Sequence, residues 1–261
     1  MLKFVKGISA PEGRHKRGWF KTILVFFTLC VVTLGQWNGA RMMVESVYVN
    51  FVTHFTNHIE YQELEQVRVG ANVVYLETIF GAARLIKPSP TTDGLDYRYY
   101  HSKKYLLALA VKESRVAGFQ VIALSTSFQP FYIFRDTRLN AAPLAEQFLD
   151  GADFETDNAN LRFYMEVHQL GREGLFASIY PATVSYGARP PELTDLEYFS
   201  TIDALYESYV LSDEDGIKRN TAQLRQRLPS NSYSFGHISL KNAVEMTLTE
   251  FEFLAYFKRS Y

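Results

Sequence analysis

Residues 97–126, YRYYHSKKYLLALAVKESRVAGFQVIALST, decide the fold of this chain. They divide into three apolar runs, Tyr97–His101, Tyr105–Lys112 and Val116–Thr126, with short polar connections between them. Runs of this length that are rich in aromatic and β-branched residues are typical of consecutive strands. The Ala117-Gly118 pair indicates a bulge in the third run, because glycine inside a strand often marks one. The stretch therefore predicts an antiparallel meander.

A short helix is expected before the meander. Asn72 is a suitable N-cap, and Gly81 supplies the left-handed residue that ends many helices. Residues 87–94, KPSPTTDG, predict a loop between this helix and the first strand. A helix that leads into consecutive strands predicts an α+β fold, in which short helices pack on an antiparallel sheet. The helix carries one apolar stripe, formed by Val73, Leu76, Ile79 and Phe80.

The second half of the chain, residues 136–261, predicts another α+β region. It is either a separate domain or a completion of the first sheet. Residues 171–174, GREG, are a hairpin signal between two strand candidates, and turns are expected at 213–216 and 229–232. The candidate elements are helices at Pro143–Leu149, Asp195–Leu211 and Leu240–Phe257, and strands at Leu161–Leu170 and Leu175–Tyr186.

The longest apolar run of the sequence is residues 19–37, WFKTILVFFTLCVVTLGQW. Trp19 and Trp37 bracket it, and as a helix the run would separate the two rings by roughly 27 Å. A bilayer core is about 30 Å thick, and indole rings favour its two interfaces. Lys21 is expected to extend its charge to the interface. The run predicts a transmembrane anchor over residues 19–41; a cleaved signal peptide and a buried helix of a cytoplasmic protein are the alternatives.

Charge predicts the orientation of this anchor. Residues 1–41 hold seven Lys or Arg and one Glu, which leaves 20 basic and 27 acidic side chains in the rest of the chain. Because cytoplasmic flanks carry excess positive charge, residues 1–18 are expected in the cytoplasm and the bulk of the chain in the periplasm, at a bacterial inner membrane. The single cysteine excludes an internal disulfide, which favours a bacterial envelope. The acidic balance argues against nucleic acid as a partner.

Residues 42–64 predict a stalk helix after the anchor. They contain no Gly or Pro, and Val44, Tyr48 and Phe51 recur at the spacing of one helix face. A second set, Val47, Val49, Phe51, Thr53 and Phe55, alternates as the residues of a strand would, so a strand is the alternative. A stalk of this kind either joins two copies into a homo-oligomer or packs on its own domain.

The residues around the meander resemble a known module. Residues 67–70, VRVG, match its V-x-V-G entry, and the Gly-closed helix follows. Residues 115–121, RVAGFQV, match its x-V-x-x-F-x-V run. The pattern is similar to the SmpA/OmlA, or BamE-like, module, which shares its fold with β-lactamase inhibitor protein. This chain has Gly81-Ala82-Ala83 in place of the usual Gly-x-Pro, and no lipobox precedes it. The resemblance implies an interaction module without catalysis over residues 65–135.

The chain also resembles a family of enterobacterial single-pass membrane proteins whose function is not established. That family carries the same anchor, Gly-bounded helix and Tyr-rich strand. The resemblance implies the same order of segments along the chain, and it indicates no particular activity.

Asp153, Glu155 and Asp157 form the sharpest acidic pattern. Alternate carboxylates of this kind converge on calcium in EF-hand loops. The EF-hand pattern then requires Gly at the sixth position and Glu at the twelfth, where this chain has Asn158 and Tyr164. A solvated loop is therefore the preferred interpretation, and no cofactor is expected.

Four tyrosines are the candidate residues for binding another envelope protein. Tyrosine is enriched at the centres of protein interfaces because it buries a large area and still forms hydrogen bonds. In an alternating strand, Tyr97 and Tyr99 lie on one face and Tyr100 lies on the other, and one of these faces must cover the core. Packing in the core is therefore the alternative. The four are Tyr97, Tyr99, Tyr100 and Tyr105.

Together these features predict a non-enzymatic, membrane-anchored envelope protein that acts as a scaffold, adaptor or sensor. One alternative is an envelope enzyme or calcium-dependent ligand binder that uses the acids of residues 150–158. The other is a cytoplasm-facing component of a defence or signalling system.

Overall fold

The computed structural model describes residues 57–149 and 153–258, which form an α+β fold around a nine-stranded antiparallel sheet. The spatial order of the strands is β1-β2-β3-β4-β9-β8-β6-β5, and β7 pairs with β8. In chain order the strands are β1 Leu85–Pro88, β2 Leu95–His101, β3 Tyr105–Lys112, β4 Arg115–Ala123, β5 Phe154–Asp157, β6 Phe163–Glu166, β7 His168–Gln169, β8 Ser178–Val184 and β9 Ser232–Gly236.

Short helices cover both faces of this sheet. One face packs against α2, α4 and α5, and the other against α6 and the C-terminal turns. A 3₁₀ turn, Arg172–Gly174, connects β7 to β8. The helices are α1 His58–Glu65, α2 Val73–Phe80, α3 Leu144–Gln147, α4 Asp195–Val210, α5 Glu214–Arg227, α6 Leu240–Met246 and α7 Glu250–Phe253, which continues as a π-helical turn, Leu254–Lys258.

The predicted fold class, an α+β fold behind one transmembrane helix, is wrong in its transmembrane element. Within residues 57–149 and 153–258, no helix combines the length and the apolar character that crossing a membrane requires. The longest of them, α4, has 16 residues and four acidic side chains; it is about 24 Å long, shorter than a bilayer core. The predicted anchor, with Trp19, Lys21 and Trp37, lies outside the described residues, as does the stalk up to residue 56.

The two halves of the chain share one sheet. Strand β9, from the second half, pairs antiparallel with β4 of the meander, and β8 pairs with the other edge of β9. Residues from Ile59 onward form one compact unit. The second half therefore completes the sheet begun by the meander, which was the second of the two arrangements expected for residues 136–261.

The bulge in β4 lies where the sequence predicts it. Ala110 pairs with Gly118 and Val111 pairs with Val116, so that Ala117 is the extra residue. Next to the bulge, β4 and β9 approach each other closely, because Gly118 lies directly opposite Gly236. Gly236 has a φ of 148°, which favours glycine. These two glycines therefore allow the first and second halves of the sheet to join.

Candidate functional site

The four candidate tyrosines are all buried, each 3% exposed or less. Tyr97 donates to Glu245 Oε2 at 2.9 Å, and Tyr99 donates to the Met246 carbonyl at 3.1 Å, both beneath α6. Burial, the larger cause, and the Glu245 carboxylate raise the pKa of Tyr97 to about 12. Tyr100 and Tyr105 belong to the core on the opposite face. These rings pack within the chain and present no surface to a partner.

The acidic residues of β5 do not converge in the structure. Asp157 accepts the backbone N–H groups of the next turn, those of Ala159, Asn160 and Leu161, each at 3.1 Å. Asp153 and Glu155 are exposed. Of the residues that the structure describes, no three His, Cys, Asp or Glu lie together as metal ligands would. Asp157 therefore closes the turn between β5 and β6.

A buried polar cluster, which was not predicted from the sequence, lies under α5. Glu166 is 1% exposed and accepts a hydrogen bond from the Tyr164 hydroxyl at 2.7 Å. His168 Nε2 lies 2.8 Å from Glu166 Oε1, and Arg225 Nε lies 3.0 Å from Glu166 Oε2. Arg225 also donates to the carbonyls of Phe148 and Leu149, at 2.7 and 2.9 Å.

The spacing of three of these residues in the sequence could have indicated the cluster. Tyr164, Glu166 and His168 occupy every second position along β6 and β7, and alternate positions of a strand share one face. A polar group every second residue inside an otherwise apolar strand pair is unusual unless it has a buried partner. Arg225, however, lies 57 positions after His168, and no local pattern links it to β6 or β7. The cluster ties the second half of the sheet to α5.

An open cleft of about 590 Å³ lies elsewhere, between loops and helix ends. We call it the loop cleft. It is lined by residues 140–143, by Pro190, Glu192 and Leu193, by the first two turns of α4, and by Arg227 and Pro229 at and just after the end of α5. Three prolines line the cleft, and their rings restrict the backbone there. They are Pro143, Pro190 and Pro229.

Asn140, one of the residues that line the loop cleft, is fixed by hydrogen bonds to two other segments of the chain. Its backbone N–H donates to the Ser230 carbonyl at 2.9 Å, and its Nδ2 donates to the Ala188 carbonyl at 3.1 Å. The side-chain oxygen, Oδ1, is an acceptor. Asn140 is only 7% exposed, yet Oδ1 has no partner among the described residues. Because Oδ1 is itself closed to solvent, this acceptor is an internal cost to the fold and offers no contact to a ligand in the cleft.

Residues 188–193, which form one wall of the cleft, are restrained by contacts with the rest of the chain. Arg189 donates to the Ser185 carbonyl at 2.8 Å, forms an ion pair with Asp195 and lies 4.5 Å from the centre of the Tyr198 ring. The side chain of Asn231 bonds both the N–H and the carbonyl of Val184, at 2.8 and 2.9 Å. The contacts of Arg189 restrain this wall, and those of Asn231 restrain the end of β8, which leads to it.

The first two turns of α4 form another part of the lining. Thr194 Oγ1 accepts the Glu197 N–H at 3.3 Å, and the Glu197 carboxylate accepts the Thr194 N–H at 3.2 Å and its hydroxyl at 2.8 Å. This reciprocal pair is a capping box. The hydrogen bonds from Thr194 hold the pKa of Glu197 below its usual value, so the carboxylate at the cleft is ionised at neutral pH.

Thr194→Ala is expected to lower the free energy of unfolding by about 1 kcal/mol, because it leaves N-terminal N–H groups of α4 without their cap. Ser200→Ala, on the exposed side of the same helix, is the control and should change it by less than about 0.5 kcal/mol. Urea unfolding followed by circular dichroism measures both variants. Equal effects of the two would contradict a stabilising capping box.

Comparisons with known proteins supply no family for this chain. No protein-family model matches it, and neither does any curated protein. Among solved structures, it is similar to a cysteine-rich secretory protein from Staphylococcus aureus subsp. aureus Mu50, with 10% sequence identity and a TM-score of 0.33. The match covers 70% of this chain and 47% of that one, so this chain spans about half the length of that structure. A likeness at this TM-score carries no inference about function.

Proposed function

We propose that this protein is a non-enzymatic binding module that holds a segment of another protein in the loop cleft. The observation that carries the proposal is the loop cleft itself, an open cleft of about 590 Å³ whose lining combines three prolines and Leu193 with the charged side chains of Glu192, Glu197 and Arg227. A lining of this kind buries apolar groups of a ligand and fixes its orientation through a few polar contacts. The cleft's volume falls in the usual range for ligand sites.

The shape of the cleft favours a protein segment over a small enclosed ligand. Its walls are loops and helix ends, and it is open to solvent. The three prolines and the contacts of Arg189 restrict those loops, so little conformational freedom is lost when a segment binds. The BamE-like resemblance, whose members are mostly interaction modules, agrees with this role. That the partner is an envelope protein stays a prediction.

A photo-crosslinking residue at Ala141, which is exposed and lines the cleft, tests the proposal in the full-length chain. The same residue at Lys112, at the exposed end of β3, is the matched control. We expect the probe at Ala141, and not that at Lys112, to form one adduct in which mass spectrometry maps a single continuous segment of one partner.

Crosslinks from both positions to many proteins, or none at Ala141, would contradict the proposal. Catalytic turnover that is lost on replacing a residue of the cleft would contradict its non-enzymatic character.

A further inference from the structure

The connection between β7 and β8 presents two large apolar side chains to solvent. Leu175 is 72% exposed and Phe176 is 75% exposed. Leu175 has a φ of 54° and Phe176 has a φ of 59°, and the Ala177 N–H donates to the Gly174 carbonyl at 3.0 Å. This is the geometry of a type I′ turn, in which both central residues have a positive φ. We call residues 174–177 the apolar turn.

Leucine and phenylalanine are unsuited to the centre of such a turn. Type I′ turns strongly prefer Asn-Gly, because a bulky side chain is strained in the left-handed region. Packing does not offset this strain, since most of the surface of both side chains lies outside the core. Backbone strain of this kind concentrates at functional sites. The chain therefore holds Leu175 and Phe176 in solvent at a cost in stability, which favours a role for them in binding.

A third exposed apolar side chain lies at the same end of the sheet. Phe134 is 59% exposed and also has a φ of 59°. The centre of its ring lies 5.8 Å from that of Phe235, which pairs with Ile179 of β8, two residues after Ala177. Two separate connections of the chain thus place strained, exposed apolar residues at one end of the sheet.

We propose that the apolar turn and Phe134 insert into the surface of a lipid bilayer, with Arg172 at the phosphates of the headgroups. A bilayer accepts apolar side chains that protrude from loops without a complementary pocket, and aromatic rings favour its interface. With these exposures the three side chains offer roughly 400 Å². That is about half of what each partner contributes to a stable protein interface. Arg172 is exposed two residues before the turn, and its guanidinium matches phosphate oxygens.

The loop cleft lies at the opposite end of the sheet from the apolar turn. Strand β9 begins at Ser232, soon after Pro229 of the cleft, and ends at Gly236, which pairs with Ser178 beside the turn. A protein that is held on a bilayer by the apolar turn therefore keeps the cleft directed away from the lipid. The two sites are separate, so the outcome of a test at one of them leaves the other unaffected.

Quenching by lipid tails tests the inference in the full-length chain. An environment-sensitive fluorescent amino acid replaces Phe176 in one variant and Ala141, at the loop cleft, in the matched control. The vesicles contain phosphatidylcholine and phosphatidylglycerol with brominated acyl chains, and bromine quenches the fluorophore on contact. We expect quenching at position 176 and none at position 141, because apolar side chains at a bilayer surface reach roughly 5–10 Å into the boundary of the acyl chains. Since the readout is local, lipid binding elsewhere in the chain does not produce it.

Two matched turn variants separate the apolar side chains from the strain of the turn. Leu175→Asn with Phe176→Gly removes the apolar side chains. Glu113→Asn with Ser114→Gly makes the same turn sequence between β3 and β4, where the φ values are 51° and 63°. With the fluorophore at position 134, the first variant should raise the lipid concentration at half-maximal quenching at least about tenfold, and the second should not raise it. Neither variant should lower the urea concentration at the midpoint of unfolding, because Asn-Gly is favoured in these turns.

Each other outcome overturns the inference in a distinct way. Absence of quenching at position 176, or equal quenching at positions 176 and 141, would show that the apolar turn does not enter the bilayer. Fluorescence at position 176 that shifts to the blue as the protein concentration rises without lipid would show that a second copy of the chain covers the turn. Loss of stability in the variant of Leu175 and Phe176 would show that these side chains serve the fold.

Discussion

We expect Glu166→Ala to lower the free energy of unfolding by about 3–5 kcal/mol, because it removes one partner of a buried ion pair. Arg225 is 4% exposed, and with Glu166 gone its Nε loses the carboxylate that lies 3.0 Å away. The Tyr164 hydroxyl, which donates to Glu166 at 2.7 Å, would lose its acceptor as well. Urea unfolding of the full-length chain, followed by circular dichroism, measures the effect.

Two further variants separate a lost charge pair from a lost side chain. Glu155→Ala, on the exposed face of neighbouring β5, removes a carboxylate of the same size and should change the free energy of unfolding by less than about 0.5 kcal/mol. The double variant Glu166→Leu with Arg225→Met removes both charges and should recover much of the lost stability, because a buried ion pair often contributes no more than an apolar pair of similar volume. A double variant as unstable as the sum of the single ones would contradict this explanation.

The meander was predictable because its residues interact locally. Strand β3 has the predicted bounds, Tyr105–Lys112, and the bulge at Ala117 follows from the glycine beside it. Helix α2 begins after Asn72, whose side chain accepts the Val74 N–H at 2.8 Å, and ends at Gly81. In each case the capping residue or the alternation that determines the structure lies within a few positions of the element. Helix α4, predicted as Asp195–Leu211, was found for the same reason.

The elements that were missed depend on distant contacts. Residues 213–216 were predicted as a turn but include the start of α5, a polar helix whose buried residues are only Gly216, Leu224 and Arg225. Residues 229–232 were also predicted as a turn, whereas β9 begins at Ser232. Its serines alternate with Tyr233 and Phe235, so the strand has little apolar character of its own. Strand β9 pairs with β4 more than a hundred residues earlier, which no short pattern reveals.

The loop cleft was not predicted for a related reason. Asn140, Glu192 and Arg227 come from three separate connections, and only the pairing of β8 and β9 with the meander brings those connections together. The tyrosines of β2 were the opposite case. Their composition suggested an interface, but helices cover both faces of that strand, and the same rings pack into two cores. Composition alone does not distinguish a surface aromatic from a buried one.

Gly236→Ala is the other substitution for which we expect a large effect, a loss of at least about 3 kcal/mol in the free energy of unfolding. A Cβ at this position would lie 2.4 Å from Gly118 Cα and 2.5 Å from the Ala117 carbonyl oxygen. Both atoms belong to backbone, so neither can rotate away as the end of a side chain would. The φ of 148° adds strain for any residue other than glycine. Strands β4 and β9 would have to separate at the place where the two halves of the sheet join.

Another glycine separates this effect into its causes. At Gly94, φ is 71° but the space is open, so Gly94→Ala measures backbone strain alone, about 1 kcal/mol. The excess loss in Gly236→Ala over Gly94→Ala is the cost of separating the two backbones. If the two variants unfold at the same urea concentration, the close approach of β4 and β9 contributes nothing to stability, and the junction between the halves must be held by the side chains on either face.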